Sequence, residues 1–200
     1  LNLRRQGQMC IRDRYRGREK NRAQLVQRSA EALSTLPGVG EFEVCGVEDI
    51  RADVDSPEAA LNLVMALLSD GSWAIGLGIT GHGRAVFAAT EAVGTRPAKV
   101  SVIVDTPDPG TSATDIAAAF ALVGHVLHKR TMEGREATSL VRSGLNQNEA
   151  AAELGISKQA MSQRLQAAGW QAEQAGWKLA LNLITQASAP SAPVQPDPDA

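Results

Sequence analysis

The chain has 200 residues, a formal net charge of −2 and two cysteines. This length allows one or two domains with a real hydrophobic core. No apolar run approaches the length that spans a bilayer, and no segment has the pattern of a secretory signal. Cys10 and Cys45 match neither a metal-binding spacing nor a disulfide framework. These features exclude membrane-spanning and disulfide-rich secreted proteins, and we expect a cytoplasmic protein.

Charge is distributed unevenly along the chain. Residues 1–28 carry nine Lys or Arg against two acids, whereas residues 29–128 carry four against thirteen. Residues 129–178 carry seven basic residues against five acidic ones. Because DNA is a polyanion, the acidic middle of the chain would repel it. Any contact with DNA is therefore expected in the third segment.

The first 18 residues have no clear structural pattern. The segment opens with Leu1, shows neither helical nor strand periodicity, and contains MCIRDR at residues 9–14, which resembles a translated sequencing adapter. We therefore predict that residues 1–18 are a non-native or disordered extension and that the native N-terminus is missing. The alternative interpretation is a basic arm that contacts phosphates.

Residues 19–130 alternate between helical and strand patterns, which predicts a small α/β domain, truncated at its start if the first strand is missing. Ser56 followed by Pro57 is typical of a helix start. The predicted helices cover residues 19–36, 57–68, 84–93 and 114–127. The predicted strands cover residues 42–47, 73–80 and 99–105.

Three glycines in this region resemble a dinucleotide-binding fingerprint. Gly76, Gly78 and Gly81 have its spacing, and Asp105 follows at the end of the next strand. However, the glycines lie within the strand pattern and not after it. A glycine-bearing strand packed closely under a helix is therefore favoured.

Two further groups of residues have metal-binding chemistry. Clustered carboxylates can hold Mg²⁺ against a phosphate, but a solvated edge of the sheet is favoured for them. These carboxylates are Glu48, Asp49, Asp53 and Asp55. His125 and His128 lie three apart on a helix, but no Cys or acid lies nearby to complete a metal site. We therefore expect no metal, no cofactor and no catalytic residues, and hence a protein that is not an enzyme.

Residues 145–165, LNQNEAAAELGISKQAMSQRL, predict two short helices joined by a tight turn. Asn146 and Glu149 have the spacing of a capping box at the first helix. Gly155 ends that helix, and Ser157 caps a second helix from Lys158 to about Ala167. A supporting helix is predicted over residues 136–143.

The second of these helices has a polar outer face without acidic residues. Amides pair with adenine, and cations pair with guanine or phosphate, so such a face suits the major groove. The candidate DNA-reading residues are Ser157, Lys158, Gln159, Ser162, Gln163 and Gln166. Gln147 and Arg164 flank them and are predicted to touch phosphate. The alternative is a plain helical hairpin with a polar face.

The segment GLNQNEAAAELGISKQAMSQRLQAAGW resembles the helix-turn-helix superfamily, and is most similar to the tri-helical modules of LuxR-type regulators and sigma-factor region four. The resemblance covers about fifty residues and implies binding to double-stranded DNA. In the first part of the chain, GVEDIRADVDSP faintly resembles the GDE-x-Q segment of SatD-like proteins. Val47 and Arg51 depart from that pattern, so it implies no metal or phosphate site here.

A further helix is predicted over residues 172–185, and its apolar stripe is a candidate surface for a homodimer. The stripe comprises Ala172, Ala175, Gly176, Leu179, Leu183 and Ile184. The alternative is that the stripe covers the long helix around Leu122 in the same chain. We therefore predict an all-α helix-turn-helix domain over residues 131–186, followed by a disordered Pro-rich tail over 187–200.

The sequence thus predicts an α/β domain ahead of a DNA-binding helix-turn-helix, in the manner of a transcriptional regulator. The alternative function is a nucleotide- or metabolite-binding α/β domain whose helical module contacts another protein. The sequence names neither an operator nor an effector.

Overall fold

A computed structural model describes residues 8–81, 83–106 and 113–189 of the chain. These residues form a five-stranded mixed sheet and helices, which confirms the α/β class. The strands are β1 (Gln8–Tyr15), β2 (Glu43–Val44), β3 (Asp49–Val54), β4 (Trp73–Thr80) and β5 (Lys99–Asp105). The helices are α1 (Arg22–Leu33), α2 (Pro57–Asp70), α3 (Ala85–Ala92), α4 (Ala113–His128), α5 (Met132–Arg142), α6 (Gln147–Glu153), α7 (Lys158–Ala167) and α8 (Trp170–Ser188).

Strand β1 is the centre of the sheet, whose order is β2-β3-β1-β4-β5. It pairs antiparallel with both β3 and β4, so that Ile11 lies opposite Ala52 and Leu77. Strands β4 and β5 are parallel. Residues 1–18 were predicted to be a non-native or disordered extension, and the prediction of disorder is wrong for residues 8–15, which form β1. The alternation of apolar and polar residues that marks a strand is not visible in the sequence of β1. The acidic Asp13 is buried on the same face as the apolar residues, and Cys10 is buried on the opposite face.

Strand β3 was also missed, because its acids suggested a solvated turn. Ile50, Ala52 and Val54 are buried against the main core, and the polar residues between them lie on the opposite face of the sheet. Strand β3 is thus a regular half-buried strand. The predicted strand over residues 42–47 is only the two-residue β2.

The main core lies between one face of the sheet and helices α1, α2, α4 and α8. Strand β4 contributes Ile75, Leu77 and Ile79, and helix α4 contributes the fully buried Phe120. Helix α2 begins as predicted, with the Ser56 side chain accepting a hydrogen bond from the Ala59 N–H. The sequence predicts Ser112 or Thr114 as the cap of α4, after a break at Pro107, Pro109 and Gly110. Thr114 lies inside the helix, and the other four residues lie outside the described residues.

Helix α3 packs closely on the other face of the sheet, and this packing requires the glycines of β4. A Cβ atom on Gly76 would lie 2.5 Å from the Ala89 carbonyl oxygen and 2.6 Å from the Val93 nitrogen. A Cβ on Gly78 would likewise meet the backbone of Ala85. The glycines therefore allow the helix to approach the strand, as the sequence favoured, and they do not open a phosphate-binding loop.

Helices α5, α6 and α7 enclose a second, smaller core, and α8 connects this core with the main one. Trp170, at the start of α8, packs on the smaller core, whereas Ala180, Ile184 and Ala187 are buried in the main core. Helix α8 continues to Ser188, so the predicted tail begins later than residue 187. Residues 190–200 lie outside the described residues.

The apolar stripe predicted on α8 is partly wrong. Ala172, Ala175 and Leu179 are exposed, whereas Glu173 is buried. The buried face of α8 is therefore rotated relative to the predicted stripe and includes Glu173, which pairs with two arginines. This face packs on α4, because a Cβ on Gly176 would meet Val123. The other three residues of the stripe, Gly176, Leu183 and Ile184, pack within the same chain, which was the alternative interpretation. None of the helices in the described ranges is long and apolar enough to cross a membrane.

Candidate nucleic-acid interface

Helix α6 begins with the predicted capping box. The Asn146 side chain accepts hydrogen bonds from the backbone N–H groups of Asn148 and Glu149, at 2.9 and 3.1 Å. The Glu149 carboxylate in turn accepts from the Asn146 N–H at 2.8 Å. Because donors at a helix start have no partner within the helix, this exchange fixes where α6 begins.

The turn between α6 and α7 is held by backbone hydrogen bonds and by one glycine. Gly155 has φ +63°, a left-handed conformation that favours glycine. The Ile156 N–H donates to the Ala151 carbonyl at 3.0 Å. The Ser157 hydroxyl then accepts from the Ala160 N–H at 3.1 Å, and α7 begins at Lys158 as predicted.

Helix α7 is fixed to its neighbours by the smaller core. Met161 and Leu165 are buried on its inner face, and they meet Ala150 and Ala151 of α6 and Ala137 of α5. Small residues at these positions allow the helices to approach closely. The outer face of α7 therefore has one orientation relative to the rest of the molecule.

The structure exposes most of the predicted DNA-contacting residues. Those that are exposed are Gln147, Ser157, Lys158, Gln159, Ser162, Gln163 and Gln166, whereas Arg164 is half-buried. Gln147, Ser162 and Gln166 line a single depression of about 460 Å³ between α6, α7 and α8. Helix α7 carries two basic residues and no acidic residue.

The polar side chains of this face differ in whether they already interact with other groups of the chain. Ser157 already accepts a hydrogen bond as the cap of α7, so only part of its capacity remains. Within the described residues, no hydrogen bond engages the side chains of Gln159, Ser162 or Gln163. Glu133 is close enough for Arg164 to contribute to lowering its pKa, although the hydrogen bond from Thr131 contributes most. An acid near Arg164 weakens the attraction of this residue for phosphate.

An ionic cluster around the buried Glu173, which the sequence did not predict, connects the helices of this part of the chain. Arg130 and Arg142 both pair with Glu173, and the Arg142–Glu173 distance is 2.6 Å. Arg130 also donates to the Ala168 carbonyl at 2.8 Å, at the end of α7. This cluster ties the end of α7 to α8 and to the segment before α5. The only sequence signal was an acid at position 173 within an apolar helical period.

The four acids considered as a metal site lie in or beside ion pairs of the sheet. Asp49 accepts from Arg14 at 2.7 Å and from Arg12 at 2.9 Å, and the hydrogen bond from Arg14 is the main cause of its lowered pKa. Glu48 pairs with Arg16 and Arg22. Arginines of the supposed basic arm are thus occupied within the chain. In the described ranges, no three His, Cys, Asp or Glu residues are placed to hold a metal ion.

The remaining chemical candidates are structural. His128 Nδ1 lies 2.6 Å from the Gly124 carbonyl of its own helix, and His125 is exposed. Burial raises the pKa of the Cys10 thiol to about 12. A thiol that stays protonated at neutral pH is not a nucleophile.

Comparison with protein-family models, with curated proteins and with solved structures finds no match for this chain.

Proposed function

We propose that the protein is a DNA-binding transcriptional regulator, and that helices α6 and α7 form its helix-turn-helix. The observation that carries the proposal is the outer face of α7, which is exposed, free of acids and rich in amides on a helix fixed by its own core. An α-helix with such an exposed face matches the width and hydrogen-bonding groups of the major groove. The protein would act in the cytoplasm and without catalysis.

Gln159 and Gln163 are the principal reading residues of the proposal. They lie four apart and therefore on the same side of α7, with unengaged amide groups. The amide N–H of glutamine can donate to N7 of adenine while its carbonyl oxygen accepts from the N6 amino group, which is a bidentate arrangement. Lys158, at the start of the helix, adds a positive charge for guanine or phosphate.

The experiment is a mobility-shift titration against a sequence selected from random duplexes. Replacing Gln159 and Gln163 together by Ala should cost roughly 1–3 kcal/mol per lost base pairing and relax the preferred sequence. Gln24→Ala with Gln27→Ala on α1 is the matched control, because both residues are exposed and remote from α7. Equal loss in the control, or an unchanged sequence preference in the α7 variant, would contradict the proposal.

Salt dependence separates this function from the metabolite-binding alternative. Binding to DNA should weaken steeply as salt is added, because phosphate contacts release counterions. Binding of a small neutral metabolite to the α/β part should change little. Affinity for DNA that does not respond to salt would therefore argue against a phosphate-contacting interface.

A further inference from the structure

A cavity of about 560 Å³ lies between α2, α5 and α8, where the smaller core meets the main one. Pockets that hold small molecules have volumes of roughly 300–1,000 Å³. None of the residues proposed to contact DNA lines this cavity. The proposed contact with DNA therefore does not account for the residues that line this cavity.

Two indole rings form much of one wall. Trp170 and Trp177 are seven residues apart on α8, which places them on the same side and separates them by about 10 Å of helix. Met65 and Ala66 of α2 line the opposite wall. Aromatic faces and a thioether pack well on a flat ring, so the apolar part of the cavity suits a planar aromatic body.

The charge of the cavity wall favours an anion. Glu173 and Arg142 line the cavity, and the buried Arg130, which does not line it, also pairs with Glu173, so the three groups together carry one more positive charge than negative. The other lining residues are uncharged. A net cation in a partly enclosed site attracts a ligand of opposite charge.

Arg142 is the cation that a ligand can reach. Its guanidinium lies 5.7 Å from the centre of the Trp170 ring, and one terminal nitrogen donates to Glu173 at 2.6 Å. Its side chain is 48% exposed, in contrast to the buried Arg130. The Arg142 N–H groups that do not face Glu173 can donate to a carboxylate at the mouth of the cavity.

We propose that this cavity binds a small planar aromatic carboxylate. The ring would lie among Trp170, Trp177 and Met65, and the carboxylate would accept hydrogen bonds from Arg142. Such a ligand would touch α2 on one side and α5 and α8 on the other. The proposal concerns ligand binding alone and stands whether or not the protein binds DNA.

The test is isothermal titration of the full-length protein with 2-naphthoate, 2-naphthamide and acetate. Naphthoate should bind with a stoichiometry of one, whereas the amide lacks the charge and acetate lacks the ring, and each should bind about tenfold or more weakly. Arg142→Gln should weaken naphthoate about tenfold and leave naphthamide unchanged. The fold should survive this substitution, because Arg130 still neutralises Glu173.

Two other variants complete the test. Ala66→Trp should fill the cavity from an exposed position and abolish binding of both aromatic probes. Arg51→Gln, a matched loss of charge at a residue that pairs with Glu43 elsewhere, should bind naphthoate like the unchanged protein. The absence of saturable binding of naphthoate, equal affinity for naphthoate and naphthamide, or equal losses in the Arg51 and Arg142 variants would each overturn the proposal.

Discussion

Asp13 is a carboxyl group enclosed in the main core. Its register partners are Ile50 and Ile75, both fully buried, and neither of its oxygens has a hydrogen-bond partner among the described residues. Burial, with a smaller contribution from the negative charge of Asp49, raises the pKa of Asp13 well above its usual value. Between the pKa values of the unfolded and folded states, the folded protein therefore keeps a proton at this position that the unfolded chain loses.

This proton makes stability depend on pH in a definite direction. A raised pKa means that the folded state binds more protons, so the contribution of Asp13 to the free energy of unfolding falls as pH rises above about 4. Asp13→Asn removes the titrating group, so its stability relative to the unchanged protein should be greater at pH 7 than in acid. Urea unfolding across pH measures this difference.

The matched control for Asp13→Asn is Asp53→Asn, on the exposed face of the neighbouring strand. This substitution removes an exposed carboxylate and not a buried one, so it should not increase the free energy of unfolding at pH 7. If Asp13→Asn and Asp53→Asn show the same pH profile, the Asp13 carboxyl is solvated and the described burial is wrong.

Arg164 tests whether a residue beside the reading face positions DNA or reads it. We expect Arg164→Ala to weaken binding to all sequences alike and to reduce the slope of log affinity against log salt by about one. Glu133→Gln should have the opposite effect, because it removes the acid near Arg164. A loss confined to one base position would instead make Arg164 a reading residue.

Strand β1 is the element on which the sheet depends. It lies between β3 and β4 and buries Met9, Ile11 and Tyr15 in the main core. Each large apolar side chain of this kind contributes roughly 1.5–3 kcal/mol, whereas a whole domain is stable by only about 5–15 kcal/mol. Removal of residues 1–18 should therefore abolish cooperative unfolding.

Thermal unfolding followed by near-ultraviolet circular dichroism measures this loss. Arg18→Ala is the control, since Arg18 is exposed and lies after the end of β1, and it should leave the transition in place. If the protein without residues 1–18 unfolds cooperatively at an unchanged temperature, the segment is dispensable and the prediction of a non-native extension regains support.

At the scale of the whole molecule, we propose that two copies bind DNA together. One helix-turn-helix makes few base contacts, and pairing across half-sites about one helical turn apart is the common remedy. Two large apolar residues remain exposed on helices that pack on each other: Leu122 of α4 is 68% exposed and Leu179 of α8 is 46% exposed. We place the proposed interface at these two residues and not at Leu183, because Leu183 packs on the main core.

Leu122→Glu with Leu179→Glu should leave the protein folded, convert it to a monomer in sedimentation, and weaken DNA binding at least about tenfold. Phe87→Glu on α3 is the control, because Phe87 is 75% exposed and lies on the other side of the sheet. A monomer before any substitution, or loss of the dimer in the Phe87 variant, would contradict this seam.

Some elements could be predicted from sequence because local chemistry specifies them. Helix α7 begins after the cap Ser157, and the turn before it needs a left-handed residue, which Gly155 supplies. Strand β5 has its predicted bounds, because a short run rich in β-branched residues favours a strand over a helix. The capping box of α6 is likewise a matter of residues three apart in the chain. Signals of this kind depend on residues close together in the chain, so they predict an element without knowledge of the fold.

What the sequence by itself determined is thus the α/β class, most of the helices and the exposed polar face of α7. Only the tertiary structure decided that Asp13 and Glu173 are buried, because an acid is buried through partners or packing far away in the chain. Arg12 and Arg14 likewise acquire their role from Asp49, about 35 residues distant, which only strand pairing brings near. The cavity between α2, α5 and α8 exists for the same reason, since its walls come from three helices that no local pattern relates.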